Sequence, residues 1–313
     1  MKNPFKIIFM GTPEFAVPTL TALHRSPHEL QLVITRPDRP RGRGRRSAPP
    51  AVKVAAAELG CEILQPESVK SDAFYEQMAA LDFDFFVIVA FGQIIPERVL
   101  RVPRQASVNV HASLLPRYRG PAPIQWAIIN REERTGVTTM FMDAGMDTGD
   151  ILLQAVEPIR SDDTSESLHA RLAELGARTL LETLARFADG DIRPRKQDDA
   201  LATYAPMLKK ADGLIDWNRP AVDIEAFIRG VNPWPGAFTH FGHRQLKIYR
   251  AAVLAGPCDL PPGTVARGFD GELRVATADG FLLPQEVQLA SCKRLPIDQF
   301  LCGCKMPPGT ILS

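Results

Sequence analysis

Several signatures that commonly reveal a protein's class are missing from this chain of 313 residues. No apolar run approaches the roughly 20 residues that a membrane-spanning helix needs. No Walker A motif is present, and the first strand-like run ends at Gly11 without continuing into Gly-x-Gly-x-x-Gly, so NAD and ATP lack their usual support. Charge of one sign is not in excess either. The formal net charge is +1, so any polyanionic partner must be argued from local clusters.

Cysteine is also scarce, and its spacing excludes the common metal sites. The five residues lack Cys-x-x-Cys spacing, which is typical of reduced thiols in a cytosol; they are Cys61, Cys258, Cys292, Cys302 and Cys304. Neither a His nor a second Cys pair accompanies the last two, so no metal is predicted. A strand-like run begins at Phe5 and leaves no room for a signal sequence before it. The expected location is therefore the cytoplasm.

Residues 1–188 alternate between strand-like and helix-like segments. Apolar runs occur at 5–10, 30–34, 85–90, 106–110, 136–142 and 151–157, and helix-like stretches at 14–24, 51–59, 71–80 and 121–130. A sequence like a capping box at 163–166 precedes leucines at helical spacing, which predicts a long amphipathic helix. Together these patterns predict an α/β domain, Rossmann-like, with a mostly parallel sheet.

The remainder of the chain has a different character. Residues 189–206 are polar and rich in Asp, Gly and Pro, which predicts a linker. Residues 207–313 contain short strand-like pieces at 245–253, 263–267, 272–277 and 281–289. We therefore expect a second, smaller domain, a β-barrel or a sandwich.

The most informative polar residues follow an apolar strand. Asn109 and His111 are two residues apart, so strand alternation places them on one face, just before a loop rich in Pro and Gly. Ligands of open α/β sheets bind at this carboxyl edge. An Asn amide can donate to an oxyanion and a His can move a proton, which suits acyl transfer without a nucleophilic side chain. From the residues alone, structural roles for both remain equally open.

The surrounding motif resembles the folate-dependent formyltransferases. It consists of Asn109-x-His111-x-Ser113-Leu-Leu-Pro116-x-Tyr118-Arg119-Gly120, followed by Asp147-Thr-Gly149-Asp150. The resemblance implies that 10-formyltetrahydrofolate binds beside Ser113, Leu114, Leu115 and Pro116. It also implies that Asn109 holds the oxyanion of a tetrahedral intermediate, that His111 moves protons, and that Asp147 orients His111 or a water. It further implies an OB-like fold for the C-terminal barrel.

Residues 35–46, here called the arginine segment, suggest the second substrate. Its Pro and Gly background predicts an irregular loop, and its six arginines are Arg36, Arg39, Arg41, Arg43, Arg45 and Arg46. Guanidinium groups pair with phosphates and stack on unpaired bases. Together with residues 121–128 and 231–236, the segment resembles the members of the family that formylate methionyl initiator tRNA. No apolar dimer stripe is evident, so a monomer is expected.

Three alternatives remain open. A formyltransferase acting on an amino-sugar nucleotide would share Ser-Leu-Leu-Pro-x-Tyr-Arg-Gly, but the arginine segment argues against it. Glycinamide ribonucleotide formyltransferase would share the Asn, His and Asp residues, yet it is a shorter single-domain enzyme. A non-enzymatic RNA-binding protein would leave Asn109, His111 and Asp147 unexplained.

Overall fold

Regular elements cover most of the chain in the computed structural model, which describes residues 4–41 and 46–313. The strands are β1 Lys6–Gly11, β2 Glu29–Ile34, β3 Arg39–Arg41, β4 Arg46–Ala48, β5 Ile63–Leu64, β6 Phe85–Val89, β7 Ala106–His111, β8 Arg134–Phe141, β9 Ile151–Pro158, β10 Phe238–Phe241, β11 Arg244–Ala255, β12 Val265–Ala266, β13 Arg274–Ala276, β14 Gly280–Leu289 and β15 Leu295–Pro296. The α-helices are α1 Val17–Arg25, α2 Ala51–Glu58, α3 Asp72–Ala79, α4 Glu97–Leu100, α5 Pro123–Ile129, α6 Ser165–Asp189, α7 Ala221–Gly230 and α8 Ile297–Gly303. Short 3-10 helices are at Glu14–Ala16, Asp199–Leu201 and Lys210–Gly213.

The chain forms two units, each made of segments that are discontinuous in sequence. The first extends to Gly120 and also contains Thr135–Pro158 and His169–Ala205. The second consists of Pro121–Arg134, Ile159–Leu168 and Pro206–Ser313. The division into residues 1–188, 189–206 and 207–313 stays a prediction.

A mixed sheet of seven strands, most of them parallel, organises the first unit. Its order is β5-β2-β1-β6-β7-β8-β9, with β5, β2, β1, β6 and β7 parallel and β8 antiparallel to β7. The first strand thus lies inside the sheet, as in doubly wound α/β folds. The expected α/β unit with a mostly parallel sheet is confirmed.

The central strands are apolar on both faces because both faces are covered. Every residue of β6 is buried, as are the last five of β1. One face packs Ile8 and Met10 against Phe74 and Met78 of α3. Strands covered on both sides read as continuous apolar runs, which is why the sequence located them.

The arginine segment was expected to be irregular, and this was wrong for two short stretches. β3 and β4 form a two-stranded antiparallel sheet in which Arg39 pairs with Ala48 and Pro40 with Ser47. Proline is tolerated because both strands of an isolated pair are edge strands, where a missing N–H donor leaves no neighbouring strand unpaired.

The second unit contains an antiparallel sheet and two helices that the sequence did not suggest. The sheet order is β10-β11-β14-β13-β12, and β15 pairs with β14. Helix α7 begins after Pro220 and buries Ile224 and Ile228 in a core that includes Val287 of β14. The expected β-rich character is confirmed, but α7 was missed, although its buried Ala221, Ile224 and Ile228 recur at helical spacing.

Two further structural facts bear on function. Across the described part of the chain, no helix combines the length and the apolar composition that crossing a membrane requires. Within the same residues, no group of three or more His, Cys, Asp or Glu side chains could hold a metal ion.

Candidate active site

Asn109 and His111 lie near the carboxyl end of β7, where the parallel strands of the sheet end. In the register, Asn109 is opposite Met140 and His111 is opposite Thr138 of β8. Both side chains are nearly buried, with 9% of Asn109 and 7% of His111 exposed. The Asn109 amide has no hydrogen-bond partner among residues 4–41 and 46–313. Its amide atoms are not fully enclosed either, so they remain available to a ligand or a water.

The His111 ring is held from one side by the loop that follows it. Nε2 lies 3.0 Å from the backbone oxygen of Tyr118. Because a carbonyl oxygen can only accept, Nε2 carries a proton in this contact. The neutral imidazole then has its lone pair on Nδ1, which lies 3.7 Å from Oδ2 of Asp147. That separation is too long for a direct hydrogen bond, but one water could bond to both atoms.

Asp147 is brought to His111 from the loop between β8 and β9. Its side chain is 17% exposed, and its Oδ2 accepts a hydrogen bond from the backbone N–H of Gly120 at 2.8 Å. Its φ angle is 56°, in the left-handed region. Two residues later, a Cβ at Gly149 would lie 1.9 Å from the Phe141 oxygen, so this close approach requires glycine.

The loop after β7 is fastened by hydrogen bonds to β8. The Ser113 hydroxyl donates to the Arg117 oxygen at 2.6 Å. Thr138 Oγ1 donates to the Ser113 oxygen at 2.6 Å and accepts from the Leu115 N–H at 3.1 Å. The Leu115–Pro116 peptide bond is cis. The hydrogen bonds of Ser113 and Thr138 hold this loop next to Asn109 and His111.

A third segment, residues 195–205, lies along both loops and is called the strap below. Arg195 exchanges two backbone hydrogen bonds with Ile151, at 2.8 and 2.9 Å. The Arg119 N–H donates to the Thr203 oxygen, and the Ala205 N–H donates to the Arg119 oxygen, each at 2.8 Å. The strap belongs to the segment that was expected to be a linker, yet it pairs with the loops that carry the candidate site.

Comparison with known proteins gives this arrangement a family. A model described as "Formyl transferase" matches residues 5–184, and one described as "Formyl transferase, C-terminal domain" matches residues 207–305. The chain belongs to the formyl transferase family. The resemblance drawn from residues 109–120 and 147–150 is thereby confirmed.

Curated relatives of this formyl transferase are similar along nearly their whole length. The methionyl-tRNA formyltransferase of Citrifermentans bemidjiense is 49% identical over 307 residues, which cover 98% of this chain and 96% of the relative. Proteins of the same name from Geobacter metallireducens and Pelobacter propionicus are 50% and 51% identical. These matches cover 97% of each chain in the first case, and 98% of this chain and 95% of the relative in the second.

Solved structures with a similar fold are more distant in sequence. An N-formyltransferase from Helicobacter canadensis, in complex with folinic acid and dTDP-3-aminofucose, matches with a TM-score of 0.67 and 20% identity, covering 90% of this chain and 98% of that one. HypX from Aquifex aeolicus, in complex with tetrahydrofolic acid, matches with a TM-score of 0.63 and 17% identity. That match covers 96% of this chain and 47% of HypX. At these identities the likeness shows a shared fold.

The predicted folate-binding residues of the formyl transferase differ in what their side chains contact. Ser113 is buried with its hydroxyl bonded inside the loop. Leu115 packs with Met140 and Ile151. Leu114 and Pro116 are only half-buried. Folate binding by these four residues stays a prediction. Leu114 and Pro116 offer apolar side-chain surface, and Ser113 and Leu115 offer mainly backbone.

The arginine segment is described only in part. Arg39 is exposed, while Arg36 is half-buried and its guanidinium lies over Gly92, where a Cβ would be 3.3 Å from Nη1. Arg36 follows β2 and Gly92 follows β6, so both lie at the sheet edge that also carries His111. Only the backbone of Arg41 and Arg46 is described. Arg43 and Arg45 lie outside the described residues.

The single aspartate of the arginine segment is already paired. Asp38 accepts hydrogen bonds from Gln65 at 2.8 Å and from Lys53 at 2.8 and 2.9 Å. These contacts, the one from Gln65 first, lower the pKa of the Asp38 carboxyl. Because Lys53 offsets its charge, Asp38 is not positioned to neutralise the arginines.

Sequence reasoning missed the residues that hold the site together. Thr138, Gln154 and Gln197 belong to no motif, and their partners are between 16 and 78 positions away in sequence. Arg119 was visible as part of Tyr118-Arg119-Gly120, but nothing in that motif indicated what its side chain contacts.

Proposed function

We propose that this formyl transferase moves the formyl group of 10-formyltetrahydrofolate onto the free amino group of methionyl initiator tRNA, giving N-formylmethionyl-tRNA for translation initiation. The observation that carries the proposal is the identity of about one half with proteins named methionyl-tRNA formyltransferase over 97–98% of this chain. The site is consistent with it, because the Ser113 hydroxyl donates to the Arg117 oxygen and not to His111, so Ser113, His111 and Asp147 do not form an activated nucleophile.

Asn109 is proposed to stabilise the charge that develops on the formyl oxygen. Its amide is nearly buried and has no internal partner within the described residues, so it needs to break no bond in order to donate. A donor held in advance in a site with little water stabilises charge strongly, because it does not reorganise during the reaction.

His111 and Asp147 are proposed to handle the proton. Transfer joins the amine nitrogen to the formyl carbon, breaks the bond from that carbon to the folate nitrogen, and moves one proton from the amine to that nitrogen. Nδ1 of His111 is the ring atom with a lone pair, since Nε2 donates to Tyr118. Asp147, 3.7 Å away, stabilises the ring when Nδ1 takes up the proton and can share a water with it.

The folate supplies the formyl group and is proposed to bind beside residues 113–116. The fit rests on two observations. Asn109 offers an amide without a partner in the described chain, and Leu114 and Pro116, in the loop that begins directly after β7, leave apolar surface partly uncovered. Apolar surface with a few convergent polar groups is the usual composition of a small-molecule site.

The tRNA is proposed to contact the arginine segment, through Arg36, Arg39, Arg41, Arg43, Arg45 and Arg46. Support comes from the exposure of Arg39, from the position of Arg36 at the ligand-binding edge of the sheet, and from the pairing of Asp38 with Lys53. Arginine in such a setting binds phosphates bidentately.

The remaining proposals concern organisation. We divide the chain into a catalytic domain at 1–188, a linker at 189–206 and a tRNA-contacting domain at 207–313 with an OB-like barrel. The two family matches end and begin near these boundaries. A cytoplasmic monomer is proposed, since translation takes place in the cytoplasm and the sequence offers no apolar dimer stripe.

One competition assay tests the function. The protein is given 10-formyltetrahydrofolate with methionyl-tRNA, glycinamide ribonucleotide and an amino-sugar nucleotide in parallel, and the formylated amine is identified. Formylation of methionyl-tRNA, with turnover of the other two near background, is expected. Preferential formylation of either small substrate would contradict the proposal.

A further inference from the structure

The side chain of Gln197 makes four hydrogen bonds next to the candidate site. Its Nε2 donates to the backbone oxygens of Asp147 and Gly149, each at 2.8 Å. Its Oε1 accepts from Nε and Nη2 of Arg119, at 3.1 and 2.9 Å. The carboxamide therefore uses both of its donors and both of its acceptor positions.

The orientation of this carboxamide is determined by chemistry. A guanidinium group only donates, so the atom facing Arg119 must be the oxygen. The NH2 group then faces two carbonyl oxygens, which only accept. The reversed orientation would lose all four hydrogen bonds.

The contact bears on the geometry of Asp147. Asp147 has a φ angle of 56°, a conformation that is unfavourable for residues other than glycine unless the surroundings hold it. Gln197 holds the carbonyl of Asp147 and the carbonyl two residues later. With the backbone held, the carboxylate points to the Gly120 N–H at 2.8 Å and to Nδ1 of His111 at 3.7 Å.

Arg119 connects the same contact to the other loop. Its side chain is 3% exposed and also pairs with Asp199 at 2.7 Å. It immediately precedes Gly120, whose N–H donates to Asp147. The Asp147 carboxylate is thus held by the backbone of Gly120, and the Asp147 carbonyl is held by Gln197. Arg119 in turn orients the Gln197 carboxamide.

We infer that Gln197 is a positioning residue for formyl transfer: through its hydrogen bonds to residues 147 and 149 it holds the Asp147 carboxylate against His111. This inference rests on the proposed role of Asp147. Gln197 acts through that residue and needs no contact with either substrate.

The test compares two variants at position 197 with a neighbouring control. Gln197→Glu keeps an acceptor for Arg119 but places an oxygen against two carbonyl oxygens, and Gln197→Ala removes the contact. Asp198→Asn exchanges an acid for an amide one residue away on the exposed surface. We expect kcat to fall about tenfold to a hundredfold in both 197 variants, since small displacements of a reacting group have costs of that size. KM for both substrates should change less than about threefold, because Gln197 contacts neither substrate and its loss removes no binding energy from the ground state.

A pH profile of kcat separates positioning from structural support. If Gln197 holds Asp147 against His111, the limb of the profile that reports the His111–Asp147 pair should move in both 197 variants and not in Asp198→Asn. An unchanged profile, whether kcat is normal or lowered, would overturn the inference. So would a loss of activity that only follows a loss of folded protein, measured by thermal unfolding.

Asp147→Asn, assayed in parallel, separates the proposed role of Asp147 from the inferred role of Gln197. An inactive Asp147→Asn with impaired 197 variants supports both. Impaired turnover of Asp147→Asn with normal 197 variants overturns the role of Gln197 and leaves the proposed function intact. Normal turnover of Asp147→Asn overturns the role of Asp147, and the inference about Gln197 with it.

Discussion

Replacing Asn109 with alanine should separate catalysis from stability. The amide makes no hydrogen bond within residues 4–41 and 46–313, so its removal takes away no internal bond there. Stability should therefore change by less than about 1 kcal/mol, a shift in Tm of roughly 4 °C or less. Loss of one oxyanion donor typically lowers kcat about 100 to 1000-fold, or about 2.7–4 kcal/mol of transition-state stabilisation.

Thr139→Val is the matched control for this prediction, on the opposite face of the sheet. Thr139 is fully buried, and its hydroxyl bonds to Thr183 at 2.8 Å and to the Leu153 N–H at 3.1 Å. Its loss leaves those groups without this partner, which should lower the free energy of unfolding by about 1–3 kcal/mol with little effect on kcat.

The assay for both variants has two arms. The rate of N-formylmethionyl-tRNA formation is measured at saturating concentrations of both substrates, and the free energy of unfolding is measured in urea. A kcat for Asn109→Ala within tenfold of the parent would refute the oxyanion role. An unfolding free energy that falls as far as that of Thr139→Val would refute the claim that the amide has no structural partner.

Three further predictions concern pH, packing and salt. Burial lowers the pKa of His28, so the unfolded chain binds the imidazole proton more tightly than the folded chain, and the free energy of unfolding should fall as pH drops through about 6.5. His28→Asn should flatten this fall when the free energy of unfolding in urea is measured against pH. An unchanged slope would count against the prediction. Gly149→Ala should lower kcat about a hundredfold, because its Cβ would displace the loop from the Phe141 oxygen. Gly303→Ala, with open space around its Cβ position, should have no effect. Equal values of kcat for the two variants would contradict this prediction. If all six side chains of the arginine segment meet phosphate, the logarithm of tRNA affinity should fall with the logarithm of salt concentration with a slope of about −4; affinity independent of salt would exclude the segment as the binding site.

The parts of the fold that sequence predicted are those that local patterns encode. β1, β2, β6, β7, β8 and β9 were located to within two residues. β1, β6, β7 and β8 are buried along nearly their whole length, which makes their apolar runs continuous. The short strands β3, β4 and β5 and the short helices α4 and α8 were not located. β3 and β4, Arg-Pro-Arg and Arg-Ser-Ala, contain no apolar alternation, α4 is a single turn of four residues, and α8 buries only Phe300.

The candidate site divides in the same way. Period-two alternation was enough to pair Asn109 with His111, and the structure has both on β7 with nearly buried side chains. Asp147 joined them by resemblance to a family alone. In the structure, the Asp147 carboxylate lies against both the Gly120 N–H and the His111 ring, which are 27 and 36 residues away in sequence, and a local pattern cannot encode this.

Asn109 and His111 alone left structural roles open. The sequence by itself determined the class of chemistry through the longer motif at 109–120, a local feature that resembles a known family and needs no distant contact. Only the tertiary structure decided how that chemistry is held in place. A polar stretch that composition assigns to a linker became the strap beside both loops, and Gln197 found its partners 78 and 50 residues away. Such contacts leave no periodic trace in the chain, because one hydrogen bond constrains a single residue on each side and its geometry exists only after the sheet has formed.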